Sequence, residues 1–163
     1  MNEKNTKKLL NDFPEFFKNR DNIRASLMGF GFDCSDGWFN LIYNLCKDIK
    51  EYYENNESNI LDEDWNVIGT KKGVPEYFYV TQVKEKFGGL RFYITAAPKE
   101  VHDMINKAED ESYKICEICG KPGEAGWHLP WYLTLCDKHL EEKEKNLWGK
   151  ILTVKERKEM RKR

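Results

Sequence analysis

This chain lacks the features that mark membrane proteins and secreted proteins. No apolar run approaches the roughly 20 residues of a transmembrane helix, and the first residues, MNEKNTKKLLND, contain no secretory apolar core. The chain also lacks an excess of charge of either sign, since 27 basic residues stand against 28 acidic ones. We therefore expect a cytoplasmic protein with no membrane contact and no general attraction to nucleic acid.

Motifs of common nucleotide-binding and hydrolytic enzymes are also missing. The sequence has no Gly-x4-Gly-Lys-Ser/Thr loop, no Gly-x-Gly-x2-Gly turn and no Gly-x-Ser-x-Gly elbow. No internal repeat is visible. These absences favour a protein that is not an enzyme, and we predict no catalytic residues.

Five cysteines are present, and three of them form a pattern with a histidine. The spacing Cys-x2-Cys-x16-Cys-x2-His comprises Cys116, Cys119, Cys136 and His139. Two close pairs of thiolate or imidazole donors joined by a loop are typical of structural zinc sites. The sequence predicts one structural Zn²⁺ per chain in a treble-clef or ribbon-like finger, the alternative being four unrelated residues. Cys34 and Cys46 are expected to be buried free thiols, because disulfides are rare in a reducing compartment.

The remaining sequence predicts an α+β fold, with amphipathic helices packed on a β-hairpin or small antiparallel sheet. Residues 36–53 show apolar side chains at helical spacing, with Asp36 as the expected N-cap. Further helices are expected over residues 98–115 and 140–148. The polar connection 54–75 is assigned no structure.

Three parts are expected along the chain: an α+β body (1–114), a zinc-finger subdomain (115–148) and a basic C-terminal tail (149–163). The tail holds seven Lys or Arg residues against two Glu residues. Contact with nucleic acid or with an acidic protein patch is one interpretation of this tail, and a solvated, frayed helix is the other.

A β-hairpin is expected where Gly88-Gly89 separates two strand-like segments, residues 80–87 and 90–97. In that register Phe87 lies opposite Leu90 on an apolar face, and Glu85 points inward, where its carboxylate needs a Lys or Arg partner. The opposite face is basic and aromatic and carries Lys84, Lys86, Arg91 and Tyr93. Cations beside aromatic rings suit phosphate-bearing ligands, so we predict ligand or partner binding there; an ordinary solvated face is the alternative.

One catalytic interpretation remains open. His-Asn-His nucleases often carry a Cys-x2-Cys pair before a histidine followed by proline, and here His128-Leu129-Pro130 precedes Cys136. The sequence departs from that pattern, because Gly126-Trp127 stands where an acidic residue usually precedes the histidine, and no asparagine lies between His128 and Cys136. A surface position in a short hairpin is the competing interpretation of His128.

Four motifs together resemble a family of small uncharacterised proteins from bacteria and their phages. They are DGWF from residue 36, QVKEKFGGLRFY from residue 82, CEICG from residue 116 and TLCDKH from residue 134. The resemblance implies a bacterial or phage protein of the cytosol, and an accessory or host-countering role if a phage carries it. It implies no established activity.

Our leading hypothesis from the sequence is a non-enzymatic, zinc-stabilised protein that binds another protein as an adaptor or inhibitor. The first alternative is a nucleic-acid-binding protein that uses the basic and aromatic hairpin face and the tail. The second alternative is a binder of nucleotides or other small ligands, or the nuclease described above.

Overall fold

The computed structural model describes residues 1–128 and 131–148 together with position 159, and this part of the chain has an α+β fold. It contains four α-helices and three two-stranded antiparallel hairpins. In chain order they are α1 (Glu3–Asp12), α2 (Phe39–Asn55), β1 (Glu57–Leu61), β2 (Val67–Lys72), β3 (Val80–Lys86), β4 (Gly89–Ile94), α3 (Lys99–Ser112), β5 (Glu124–His128), β6 (Trp131–Leu135) and α4 (Asp137–Trp148). The predicted fold class is confirmed. Within these residues no helix has both the length and the apolar composition to cross a lipid bilayer.

The helix predicted over residues 36–53 is present, but it begins later than expected. Asp36–Trp38 form a 3₁₀ turn, and α2 follows from Phe39. No side chain caps α2. Instead, the Asp36 carboxylate accepts hydrogen bonds from the Asn2 N–H at 2.8 Å and from Asn5 Nδ2 at 3.0 Å. The predicted N-cap is therefore wrong, and Asp36 ties the first turn of α1 to the segment before α2.

The third helix packs against both α2 and β4. It begins after Pro98, as predicted, and ends at Ser112, slightly earlier than predicted. Its side chains also close the outer edge of β4, because the Leu90 N–H donates to Ser112 Oγ at 2.8 Å and the Phe92 N–H donates to Glu109 Oε1 at 3.0 Å. The largest completely buried side chains of the core are Trp38, Tyr53, Phe16, Phe78, Leu9, Ile42 and Ile49.

The predicted β3–β4 hairpin is present with a different turn. Lys86 pairs with Gly89, so the turn consists of Phe87-Gly88 and not Gly88-Gly89. Phe87 and Gly88 have φ angles of 54° and 75°, and a type I′ turn requires positive φ at both central residues. From Gln82 to Lys86 each residue meets a partner two positions from the predicted one, so both faces of the strands keep their predicted members there. Phe87 is the exception, since it lies in the turn and is 68% exposed instead of facing Leu90.

Two elements have no counterpart in the sequence predictions. One is α1, a polar helix in which Leu9 is the buried residue. The other is the β1–β2 hairpin, which occupies most of the connection that was assigned no structure. Val67 and Ile68 of β2 are 58% and 65% exposed, so this hairpin lacks the buried alternating face that would reveal it in a sequence.

Candidate metal centre

Three cysteines and one histidine meet where the end of α3, the end of β6 and the start of α4 come together. Cys116 and Cys119 belong to the turn after α3, Cys136 follows β6, and His139 lies in the first turn of α4. Their donor atoms all lie within 4.8 Å of one another. His139 Nδ1 is 3.4 Å from Cys116 Sγ and 3.2 Å from Cys136 Sγ. All four predicted ligands are thus brought together, and we call them the Cys3His cluster.

The separations between these atoms suit a tetrahedral metal ion. Zinc–sulfur bonds of about 2.3 Å and zinc–nitrogen bonds of about 2.0 Å give tetrahedral edges of about 3.8 Å between two sulfurs and about 3.5 Å between sulfur and nitrogen. Cys119 Sγ and Cys136 Sγ are 3.7 Å apart, and neither belongs to a disulfide. Four such donors complete a tetrahedral shell and leave no position for a water molecule. The cluster is therefore compatible with a metal site of the closed type.

The start of α4 prepares one of these side chains for a metal. The backbone N–H of His139 donates to the Cys136 sulfur, and this is the main reason that the pKa of the Cys136 thiol falls to about 7. Burial instead raises the pKa of the Cys116 thiol, and a metal ion bound there would lower that pKa again. His139 Nε2 lies 3.9 Å from Glu142 Oε2. That separation is longer than a hydrogen bond, so Glu142 is a nearby carboxylate and not a partner that fixes the ring.

The 3₁₀ turn before α2 docks directly on the Cys-x2-Cys turn. The Gly37 N–H donates to Glu117 O at 2.7 Å, and Trp38 Nε1 donates to Ile115 O at 2.9 Å. A Cβ atom on Gly37 would lie 2.1 Å from the Cys116 carbonyl oxygen, which is closer than any real contact. Only glycine permits this approach of two backbones. No motif in the sequence indicates that this glycine contacts the Cys-x2-Cys turn.

A second contact joins β6, the strand that precedes Cys136, to the β3–β4 turn. Thr134 Oγ1, on β6, donates to Gly88 O at 2.6 Å, and Thr134 is completely buried. A Cβ atom on Gly88 would lie 2.8 Å from Tyr132 Cδ1. Glu85, expected to need a Lys or Arg partner, accepts the Gly88 N–H at 2.6 Å instead. Segments of all four motifs that carry the sequence resemblance therefore meet at one packing interface around the Cys3His cluster.

Arg91, one of the four predicted ligand-binding residues, is engaged within the fold. Its Nη1 donates to Leu90 O at 2.6 Å, and its Nη2 donates to Tyr113 OH at 2.9 Å. The same guanidinium group lies 3.7 Å from Glu109 Oε2. These hydrogen bonds use two of the five guanidinium N–H groups, and through them Arg91 supports the packing of α3 on β4.

Lys84 and Tyr93 line a shallow groove on the same face, together with Arg24. The groove has a volume of about 360 Å³, and none of the described residues that line it is acidic. Lys84 Nζ lies 5.5 Å from the centroid of the Tyr93 ring. Lys86 is not among the lining residues; its Nζ lies 5.5 Å from the Phe87 ring. Two of the four predicted residues thus share a concave site, and Arg24 adds a second cation to it.

An exposed aromatic surface lies between the β3–β4 turn and the β5–β6 hairpin. Trp127 and Tyr132 pair across β5 and β6, with ring centroids 5.4 Å apart. Tyr132 also lies against Gly88, the neighbour of Phe87. Trp127 is 52% exposed and Phe87 is 68% exposed. We call Phe87, Trp127 and Tyr132 the aromatic surface; of these, the sequence interpretation had placed Phe87 in the core.

Two sequence predictions fall outside the described residues. His128 ends β5, but its side chain is not described, and neither are residues 129–130 of the nuclease-like segment. The basic tail, residues 149–163, is described only at position 159. Both predictions therefore stay predictions.

Comparison of the chain with protein-family models, with curated proteins and with solved structures gives no match.

Proposed function

We propose that the Cys3His cluster binds one Zn²⁺ ion and that this ion is structural. Three thiolates and one imidazole suit zinc, whereas calcium and magnesium prefer oxygen donors. The closed set of four donors supports a non-enzymatic role, because zinc enzymes keep a position for water or substrate. Among the described residues, the buried core beside the cluster is small and consists of Cys116, Leu135 and Leu140. Metal binding would supply folding free energy that this core lacks.

Elemental analysis of protein purified without chelators tests the proposed metal. We expect about one zinc ion per chain, lost in Cys116→Ser and retained in Cys34→Ala. The second variant is the matched control, because Cys34 is also a buried free thiol but lies outside the cluster. A wild-type content below about a tenth of a zinc ion per chain would contradict the proposal.

We further propose that the protein acts by binding another protein, as an adaptor or inhibitor in the cytoplasm of a bacterium or a phage-infected cell. The observation that supports this function is the aromatic surface. Large aromatic side chains are enriched in protein interfaces and dominate their binding energy. The Thr134 hydrogen bond to Gly88 O joins the two hairpins that carry these rings. A preorganised surface of this kind loses less conformational entropy on binding.

Affinity capture with matched variants tests this function. Tagged wild-type protein, a Phe87→Ala/Trp127→Ala double variant and a Phe30→Ala control are incubated with bacterial lysate, and captured proteins are quantified by mass spectrometry. Phe30 is a suitable control because it is an 80% exposed phenylalanine on another part of the chain. We expect a partner whose recovery falls at least about tenfold in the double variant alone. Equal recovery with all three proteins would contradict the assignment of this surface.

Nucleic-acid binding is a second candidate function, favoured by the groove of Arg24, Lys84 and Tyr93. Two cations beside an aromatic ring suit a backbone phosphate next to a stacked base. The engagement of Arg91 and the formal net charge of −1 weigh against it. The aromatic surface therefore remains the stronger basis for a function.

Fluorescence polarisation of a labelled single-stranded oligonucleotide, measured over a range of salt concentrations, separates the two functions. If the groove binds nucleic acid, each of Arg24→Ala and Lys84→Ala should reduce the salt dependence by about 0.7 in the log–log slope. Lys7→Ala is the matched control, since Lys7 is exposed on α1 and pairs only with Glu3. Absence of binding at low salt would exclude this candidate, and competition by a mononucleotide at equal affinity would assign the groove to nucleotides.

A further inference from the structure

A separate cleft lies between the β1–β2 hairpin and the C-terminal part of α2. Its volume is about 390 Å³, and three aromatic rings line it, those of Tyr52, Trp65 and Tyr77. Glu57 is also a lining residue, and its carboxylate accepts a hydrogen bond from Thr70 Oγ1 at 2.8 Å; no Lys or Arg is among the described lining residues. We call this site the aromatic cleft. It shares no residue with the Cys3His cluster, the aromatic surface or the Arg24 groove.

Two of the three rings are fixed by the core before any ligand arrives. Tyr52 and Tyr77 are partly buried and pack against the main hydrophobic core. The Tyr52 ring also meets the completely buried Tyr53 ring edge to face, with centroids 5.4 Å apart. The wall of the cleft is thus preformed, as is usual for small-molecule sites.

Trp65 stands at the tip of the β1–β2 hairpin in an unusual backbone conformation. Its φ angle is 64°, which bulky residues rarely adopt. The loop is closed by the Asp62 N–H donating to Asn66 O at 3.0 Å and by the Trp65 N–H donating to Asp62 O at 3.1 Å. Glycine would adopt this conformation without strain. The indole ring is 64% exposed and lines the cleft. Compared with glycine, tryptophan at this position therefore contributes an aromatic ring to the cleft.

Carboxylates outnumber cations around the cleft, although Lys72 lies opposite Glu57 across β1 and β2. Besides Glu57 in the lining, Glu100 Oε2 lies 3.5 Å from the hydroxyl of Tyr52. An adjoining cavity of about 380 Å³ shares Trp65 and Tyr77 and adds three carboxylates and one ammonium group, those of Asp62, Glu63, Glu76 and Lys71. This distribution attracts a cation and repels a phosphate or a carboxylate.

We propose that the aromatic cleft binds an organic cation, such as a quaternary ammonium or guanidinium group, against the rings of Trp65 and Tyr77. The faces of aromatic rings carry negative charge and attract such cations, and tryptophan does so most strongly. The carboxylates at the rim add long-range attraction without the oxygen cage that a metal ion needs. Two sources present this chemistry: a free small amine and the basic side chain of a peptide.

Ligand-observed NMR and calorimetry with simple probes test the proposal on the full zinc-loaded chain. The probes are tetramethylammonium, choline, arginine amide and a tetra-arginine peptide, with 3,3-dimethylbutanol as a neutral compound of the same shape as choline. We expect choline to bind with a Kd of about 1 mM or lower, and the neutral compound to bind at least about tenfold more weakly. Equal binding of choline and its neutral counterpart, or no binding of any cation up to about 10 mM, would overturn the proposal.

The variant Trp65→Gly separates binding from folding, because it removes the ring and also relieves the positive φ angle. We expect this variant to unfold no more easily than the wild type and to bind the cations at least about tenfold more weakly. Ile68→Ala, at a 65% exposed position on the same hairpin, should keep the wild-type affinity. Unchanged affinity in Trp65→Gly would refute the assigned site. Tighter binding of the tetra-arginine peptide than of arginine amide assigns a peptide source, and equal binding assigns a free amine.

Discussion

The substitution Gly37→Ala tests how the body of the protein holds the metal-ligand turn. A methyl group at this position would lie 2.1 Å from Cys116 O and 2.5 Å from both Glu117 O and Gly120 N. All three are backbone atoms, so no side-chain rotation relieves the overlap. The 3₁₀ turn before α2 and the Cys-x2-Cys turn must therefore move apart.

The expected loss in the free energy of unfolding of Gly37→Ala follows from the contacts that this substitution disturbs. Moving the two turns apart stretches the hydrogen bond from the Gly37 N–H to Glu117 O, 2.7 Å long, and the one from Trp38 Nε1 to Ile115 O, 2.9 Å long. Each contributes about 1 kcal/mol net to stability, and overpacking a dense contact costs about 1–3 kcal/mol. We expect the free energy of unfolding to fall by about 3–5 kcal/mol, a large part of the roughly 5–15 kcal/mol of a typical domain.

Urea denaturation of the zinc-loaded protein, followed by tryptophan fluorescence, measures this change. Gly69→Ala is the matched control, because its Cβ would meet only Ile60 Cδ1, at an ordinary 3.6 Å. We expect the control to change stability by less than about 1 kcal/mol. If Gly37→Ala lies within about 1 kcal/mol of the control, the docking of these two backbones does not stabilise the fold as argued.

Three further predictions concern buried groups. Thr134→Val removes the donor to Gly88 O and should lower the free energy of unfolding by about 1–3 kcal/mol; a loss below about 0.5 kcal/mol in urea denaturation would show that this hydrogen bond contributes little. Tyr53→Phe should leave thermal stability equal or higher, because the buried Tyr53 hydroxyl has no hydrogen-bond partner within the described residues; a clear drop in Tm would reveal one. Burial raises the pKa of Cys34 to about 12, so at neutral pH iodoacetamide should leave Cys34 unmodified, whereas a chelator should make the exposed Cys119 reactive. Mass spectrometry measures the labelling of both cysteines. Equal labelling of the two would contradict the assignment of Cys34 as a buried free thiol and of Cys119 as a metal ligand.

The sequence predicts best what short-range chemistry decides. The Cys3His ligands were recognisable because a tetrahedral site imposes a characteristic spacing, and the structure brings their donor atoms within 4.8 Å. The helices α2 and α3 were recognisable from apolar side chains at helical spacing. The faces of β3 and β4 were assigned correctly even though the turn was not, because a register error of two residues leaves the side-chain alternation unchanged.

Tertiary contacts explain what the sequence did not reveal. Asp36 resembles a helix N-cap, but its carboxylate binds Asn2 and Asn5, which lie far away in the chain. Arg91 lies on a face that looks ligand-binding, yet the Tyr113 hydroxyl accepts its hydrogen bond from beyond the end of α3. The turn at Phe87 requires a positive φ angle at a non-glycine residue, and Gly88-Gly89 is the commoner choice for such a turn. For Asp36 and Arg91 the deciding partner is remote in the sequence.

The central claim is that one zinc ion joins the Cys-x2-Cys turn, the end of β6 and the start of α4. X-ray absorption spectroscopy at the zinc edge of the purified protein tests it most directly. We predict three sulfur neighbours at about 2.3 Å and one nitrogen neighbour at about 2.0 Å, with one sulfur lost in Cys136→Ser. A coordination shell dominated by oxygen, or one unchanged in Cys136→Ser, would contradict the account.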